Sequence, residues 1–291
     1  MIDERLGAVI AMAIGVIGTT TIHLSKGMMR LGIARMQRRE ADRTARRRAS
    51  VAYAVGVAMN FTNPLWVILA NRFAPTVFYT SMYGVGLVAL VIFARLVLGE
   101  EIHLKQFAGI AVVLVGTLLV GAGNLIGTRV SLFTADRTLL ITIAVVWTVA
   151  SPVGAVALKR RSLPVQEVFV GFFAGGLAAL EAVVKGVSQA GEVQNTLLPT
   201  GPGGWWLFGA SFLGAAGAFG MIQWSYLRSC RASVMGAVYN VAYVALPLVL
   251  TAALVDGSRL GPWSIGGLSV LTAGIVVLGT GGTSPRGELK T

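Results

Sequence analysis

The sequence predicts an all-α, polytopic integral membrane protein with about nine transmembrane helices. Segments 1 to 4 and 6 to 9 form an inverted repeat, and segment 5 connects them. Composition, the spacing of apolar runs and the sidedness of basic residues carry this prediction. The 291-residue chain is 55% hydrophobic and only 12% charged, against roughly 25% charged residues in soluble domains. Nine mostly apolar segments follow one another at approximately 6–26, 50–71, 75–98, 104–126, 138–158, 165–188, 204–228, 233–255 and 262–281. Each approaches the roughly 20 residues that a helix needs to cross the hydrocarbon layer. Lipid offers no partner to an unpaired backbone amide, so these spans are helical.

Charge sets the expected orientation. Residues 26–48 hold nine Lys or Arg against one Glu and one Asp, in a chain of net charge +12. A soluble protein with such a run would be read as nucleic-acid binding. Here no aromatic platform accompanies the arginines, and the run lies between two apolar segments. With helices alternating in direction, nine further basic residues share its side: Arg95, Lys105, Lys159, Arg160, Arg161, Arg228, Arg231, Arg286 and Lys290. Only Arg5, Arg72, Arg129, Arg137, Lys185 and Arg259 fall opposite. The positive-inside rule makes the rich side cytoplasmic. The protein is therefore expected to be multi-pass in the cell membrane, with its N-terminus outside and its C-terminus in the cytoplasm. Its surroundings are the lipid bilayer, with anionic headgroups at residues 26–48 and no nucleic acid; a homodimer is left open. Asp3, Glu4 and Arg5 precede the first apolar run without a basic n-region or cleavage site, so no removable signal peptide is expected. Cys230 is the single cysteine and excludes an internal disulfide.

One domain spans residues 1–291: a first repeat at about 5–126, a connecting helix at 138–158, a second repeat at 165–281 and a short tail, 282–291. Segment 4 reads GIAVVLVGTLLVG from Gly109, and segment 9 reads GLSVLTAGIVVLG from Gly267, with three glycines at identical spacing. The same offset of 158 residues carries Trp66 onto Trp224, Ala74 onto Ala232 and Gly99 onto Gly257. Shifting by 159 carries Lys26-Gly27 onto Lys185-Gly186, placing Lys26 at the inner end of its helix and Lys185 at the outer end of its own. An odd number of positions separates equivalent helices, so each pair points in opposite directions, as in many transporters. Gly109, Gly116, Gly267 and Gly274 give segments 4 and 9 a smooth stripe for close helix packing, or for sliding.

The stretch from Ala74 to Leu119 resembles the drug/metabolite transporter superfamily, in which an apolar helix ending Leu-Gly-Glu precedes a Gln and a glycine-patterned helix. These residues are Leu98, Gly99, Glu100, Gln106, Gly109 and Gly116. More narrowly, the chain is similar to NIPA-type magnesium transporters, which share the EamA-like inverted repeat. Similar features there are the Lys26-Gly27 to Arg30-Leu31 exit of segment 1, Val184-Lys185-Gly186, and Gln223 to Leu227 leading into Asn240 to Val244. The resemblance implies a secondary transporter with a path between inverted halves and magnesium or another cation as substrate.

Polar residues at membrane depth mark the candidate path. Glu181 is the clear intramembrane carboxylate, and a charge there costs about 2.5–3.5 kcal/mol on insertion scales. Lys185 lies one turn on, so Glu181 reads either as half of a local ion pair or as a coupling-ion site. Its identity as a metal ligand is left open. Segment 2 carries Asn60, Thr62, Asn63 and Pro64, and the proline frees the carbonyl one turn earlier. These amides suit an oxygen-lined site or simple interhelical ties. Gln223, Tyr226, Tyr239, Asn240 and Tyr243 make an aromatic, amide-bearing face that suits an organic solute or a cation. His23 and Thr20 suit a proton relay, although helix threonines often bond back to their own backbone. No cofactor is expected. An intramembrane enzyme is disfavoured, because the two histidines form no HExxH and no phosphate-binding GxxxxGK[ST] occurs. A membrane scaffold without transport, and an exporter of small organic metabolites or drugs, remain as alternatives.

Overall fold

Proline, glycine and apolar periodicity divide the chain into helices much as expected. The computed structural model describes residues 4–37, 43–126, 131–192 and 195–280. Helix α1 (Glu4–Gln37) is followed by α2 (Arg43–Phe61), α3 (Asn63–Asn71), α4 (Thr76–Thr80), α5 (Tyr83–Leu96) and α6 (Leu104–Ile126). After a single 3₁₀ turn at Leu132–Thr134 come α7 (Arg137–Leu158), α8 (Leu163–Gln189), α9 (Pro202–Leu227), α10 (Ala232–Leu254) and α11 (Pro262–Thr280). Among the described residues eight helical stretches are long and apolar enough to cross a membrane, and α11 adds a shorter apolar helix. Two stretches are broken helices, α2 with α3 and α4 with α5.

The all-helical membrane class is borne out, with one correction at the start. The first segment does not end at residue 26; α1 continues to Gln37. Met, Leu, Ile and Ala after Lys26 favour helix, and Met29, Leu31, Ile33 and Ala34 are buried. Lys26 is therefore neither at a helix end nor among headgroups: it is 1% exposed in the core. Arg35, Arg43, Arg46, Arg47 and Arg48 are exposed, whereas Arg38 and Arg39 lie outside the described residues. So do Arg129 and the tail with Arg286 and Lys290.

Central helices α8 and α10 are buried along most of their length, and α1 and α5 pack around them. Connecting helix α7 is peripheral, presenting Val145, Val146, Val149, Val153 and Val156 outward. It is fastened to α8 where Trp147 Nε1 donates to the Phe173 carbonyl at 3.1 Å. The closest seam is between α6 and α11, which run antiparallel. Gly109 faces Leu278 while Gly267 faces Val120, and Gly116 faces Leu271 while Gly274 faces Val113. Shifting every residue by 158 positions exchanges the two members of each pair of contacts. Gly99 and Gly257, related by the same offset, both turn the chain with positive φ, 66° and 76°, where side chains with a Cβ are strained.

Polar ties close the bundle at both ends. At the end rich in Lys and Arg, Glu100 accepts from the first backbone amides of α10, Ala232 at 2.9 Å and Ser233 at 3.1 Å. A carboxylate there also complements the helix dipole. Glu167 of α8 accepts from the Arg231 backbone N–H at 2.7 Å and pairs with its guanidinium at 2.8 Å. At the opposite end Asn71 Nδ2 donates to Gln189 Oε1 at 3.2 Å, and Arg72 donates to the Asn195 carbonyl at 2.8 Å.

Two consequences are measurable. A Cβ on Gly116 would sit 2.9 Å from the Leu271 backbone nitrogen, so Gly116→Val should separate α6 from α11. The expected loss is about 1–3 kcal/mol of overpacking, read as a thermal midpoint several degrees lower in detergent. Burial pushes the Cys230 thiol up to about 12. Its neutral form then persists through pH 8, and since the thiolate is the nucleophile, N-ethylmaleimide should label the native chain orders of magnitude more slowly than the unfolded one, as read by mass spectrometry.

Candidate functional site

Two buried lysines define the polar core. Lys26 of α1 and Lys185 of α8 are 1% and 0% exposed, and neither can remain charged there without a partner. Lys185 is ion-paired to Glu181, one turn earlier on the same helix, and its ammonium lies 4.1 Å from the centroid of the Phe212 ring. The second Glu181 oxygen accepts from Asn63 Nδ2 at 3.4 Å, and Asn63 Oδ1 in turn accepts from the Tyr79 hydroxyl at 3.4 Å. The pair is thus embedded in a hydrogen-bonded chain, the condition under which a buried ion pair is tolerated.

Lys26 is solvated differently. Its Nζ donates to the Tyr83 hydroxyl at 2.7 Å and stands 3.3 Å over the Tyr239 ring centroid. A desolvated cation–π contact contributes about 2 kcal/mol, and a hydrogen bond from a charged group about 1.5–3 kcal/mol. Together these approach the several kcal/mol that an ion loses on leaving water. Among the described residues no carboxylate lies within ion-pair distance of Lys26. Tyr83 packs on Tyr243 at 4.2 Å and on Tyr239 at 5.6 Å between centroids, so three phenols surround the ammonium. His23, three residues before Lys26, rests on Tyr83 at 4.4 Å. Its Nδ1 is 2.8 Å from the Thr19 carbonyl. A carbonyl only accepts, so in the neutral ring Nδ1 carries the proton and Nε2 is an acceptor. That Nε2 is buried without a donor, and Asn240 Oδ1 is buried without one too.

Both broken helices point their breaks at this core. Pro64 cannot donate an amide, so the α2–α3 rod steps at Thr62, whose hydroxyl donates to the Met59 carbonyl at 2.6 Å and accepts from Trp66 Nε1 at 3.0 Å. Asn63 follows directly. The α4–α5 rod steps at Ser81 and Met82, and the Thr19 hydroxyl of α1 donates to the Met82 carbonyl at 3.2 Å. Tyr79 and Tyr83 flank that step. Irregular backbone at this depth persists only where protein satisfies it or a cavity is lined by it.

Of the residues singled out in the sequence, Asn63, Glu181, Tyr239, Tyr243 and His23 meet in this core. Asn240 borders it and donates to Thr117 Oγ1 at 3.0 Å. Thr62 serves the helix step, and Asn60 is half-buried outside the cluster. Thr20 is half-buried and is not the threonine that His23 meets, which is Thr19. Gln223 lies toward the basic end, accepting from the Tyr53 hydroxyl at 3.2 Å. Tyr226 is fully buried there, its carbonyl 3.5 Å from Arg30 Nη1. Sequence reasoning missed Lys26, Tyr79 and Tyr83. The repeated Lys-Gly pair was the available signal for the first, because it equated Lys26 with the lysine that follows the intramembrane Glu181 by one turn.

Comparison of the chain with family models, curated proteins and solved structures returned no match. The geometry itself defines a class: a helical bundle of membrane-spanning length whose lysine- and tyrosine-lined core lies at two helix breaks.

The Glu181–Lys185 pair makes a clear thermodynamic prediction. Glu181→Leu leaves a buried ammonium unpaired and should cost about 3–5 kcal/mol. Glu181→Leu with Lys185→Met removes both charges and should recover most of that loss, measured by thermal unfolding in the same detergent.

Proposed function

We propose that the chain is a gradient-driven secondary transporter of the cell membrane, built as two inverted halves in the manner of the drug/metabolite transporter superfamily. The observation that carries this reading is the buried polar column joining both halves: Lys26, Tyr83, Tyr79 and Asn63 from the first, Glu181, Lys185, Tyr239 and Tyr243 from the second. A scaffold has no need of charge in its core, and intramembrane charge ordinarily marks a substrate or ion path. The reciprocal, antiparallel α6–α11 contacts support the inverted relation. Discontinuous helices at midplane are where transporters of this architecture hold substrate. The ties at both ends make the arrangement an occluded one, which alternating access would open on one side at a time.

On this reading the basic end faces the cytoplasm, the N-terminus is outside, and the exposed arginines from Arg43 to Arg48 meet anionic headgroups. The rings and hydroxyls of the tyrosine-lined core are of the kind that recognise an organic solute. A cation such as magnesium is the second reading, favoured by the family resemblance and by Glu181. Among the described residues no three His, Cys, Asp or Glu cluster as ligands for it. Glu181 has the coupling role, binding or releasing a proton or ion as its contact with Lys185 opens.

Purified protein in proteoliposomes should move solute down an imposed proton or sodium gradient. Glu181→Gln should insert normally yet lower coupled flux by about ten-fold or more, the effect of losing one charge-assisted contact. Undiminished coupled flux in that variant would remove Glu181 from the mechanism, and absence of flux for magnesium, amines and organic acids alike would retire the transport reading.

A further inference from the structure

The two halves treat equivalent lysines unequally. In the second half Lys185 has its carboxylate one turn earlier, Glu181. In the first half the position one turn before Lys26 is Ile22, an apolar residue 2% exposed. The offset that matches the lysines therefore finds a carboxylate in one repeat and none in the other. Lys26 instead stands beside the Tyr83 hydroxyl, the Tyr239 ring and the His23 imidazole. The Tyr83 hydroxyl accepts from Lys26 and directs its own proton to the Tyr239 hydroxyl, from which an anion would have to draw it, and Lys26 has three donors of which the Tyr83 hydroxyl uses one. Beside them the buried His23 Nε2 is an acceptor lacking a donor.

We propose that Lys26 and Tyr83 receive the acid group of the transported solute, a small organic acid whose neighbouring hydroxyl or amino group donates to His23 Nε2. The substrate carboxylate or phosphate supplies to the first half the negative charge that Glu181 supplies to the second. Tyr239 and Tyr243 pack against its carbon skeleton. This rests on the transporter reading, and it narrows the substrate from organic solutes in general to acids.

Binding tests it without depending on flux. Wild-type chain in neutral-lipid nanodiscs is titrated with malate, aspartate and inorganic phosphate, with choline chloride and magnesium chloride at matched ionic strength, and the unfolding midpoint is followed. At least one of the three anions should raise the midpoint saturably, while choline and magnesium should not. Response to malate or aspartate identifies a carboxylate, and response to phosphate alone identifies a phosphate group. Lys26→Gln should abolish the shift and Lys26→Arg should retain part of it. Tyr83→Phe, which changes no charge and keeps the ring, should weaken binding about ten-fold; it decides the matter if Lys26→Gln fails to fold. The proposal is overturned if no anion stabilises the wild type, or if Lys26→Gln or Tyr83→Phe binds as the wild type does. Anion binding without flux would instead retire transport and leave this site standing, whereas flux of choline or magnesium without anion binding would do the reverse.

Discussion

A bilayer interior supplies no water, so every charge or amide carried to its depth must be answered by the protein itself. That constraint organises the molecule. It makes each span a helix, drives valine and leucine outward, and requires Lys26 to be enclosed by α1, α5 and α10 and the Glu181–Lys185 pair by α8, α9 and α3. The same demand explains why the breaks at Thr62 and at Ser81–Met82 face inward. The Thr62 and Thr19 hydroxyls donate to backbone carbonyls at the two steps, and Trp66 Nε1 holds the Thr62 hydroxyl in place.

The solution is asymmetric in a way that packing alone does not demand. The α6–α11 seam is nearly self-complementary, with glycine opposite leucine or valine and each contact mirrored by its counterpart. Toward the core the likeness ends. The first half breaks its second and third rods, while α9 and α10 run on without a step, even past Pro247. One lysine is neutralised by a carboxylate on its own helix; the other leans on rings. On the inverted-repeat reading, the frame is shared and the interiors differ in the groups that surround each lysine.

Much of the frame was legible in the sequence because it rests on rules of length and repetition. Apolar runs fixed most helix limits to within a few residues, and the 158-residue offset paired Gly99 with Gly257, which the structure shows as two turns that only glycine adopts easily. Pro64 announced the first step. What failed at residues 26–37 was a rule about charge: a lysine opening an arginine-rich run looks interfacial until the partner helices are in place. Lys26 could be assigned to the core only through its correspondence with Lys185, a tertiary fact hidden in a two-residue match. The second step, at Ser81–Met82, carries no proline and had no local signature, and with it Tyr79 and Tyr83 went unnoticed.

Helix α7 meets the bundle along one face, through Leu140, Trp147 and Gly154, and on the inverted-repeat reading its single crossing sets the relative direction of the two halves. On that reading, a chain without it would insert the second set of four in the same sense as the first, so α6 and α11 would run parallel and their glycines could not meet. Its outward surface is correspondingly free to vary among apolar residues. What natural variation must preserve in this helix is parity rather than identity.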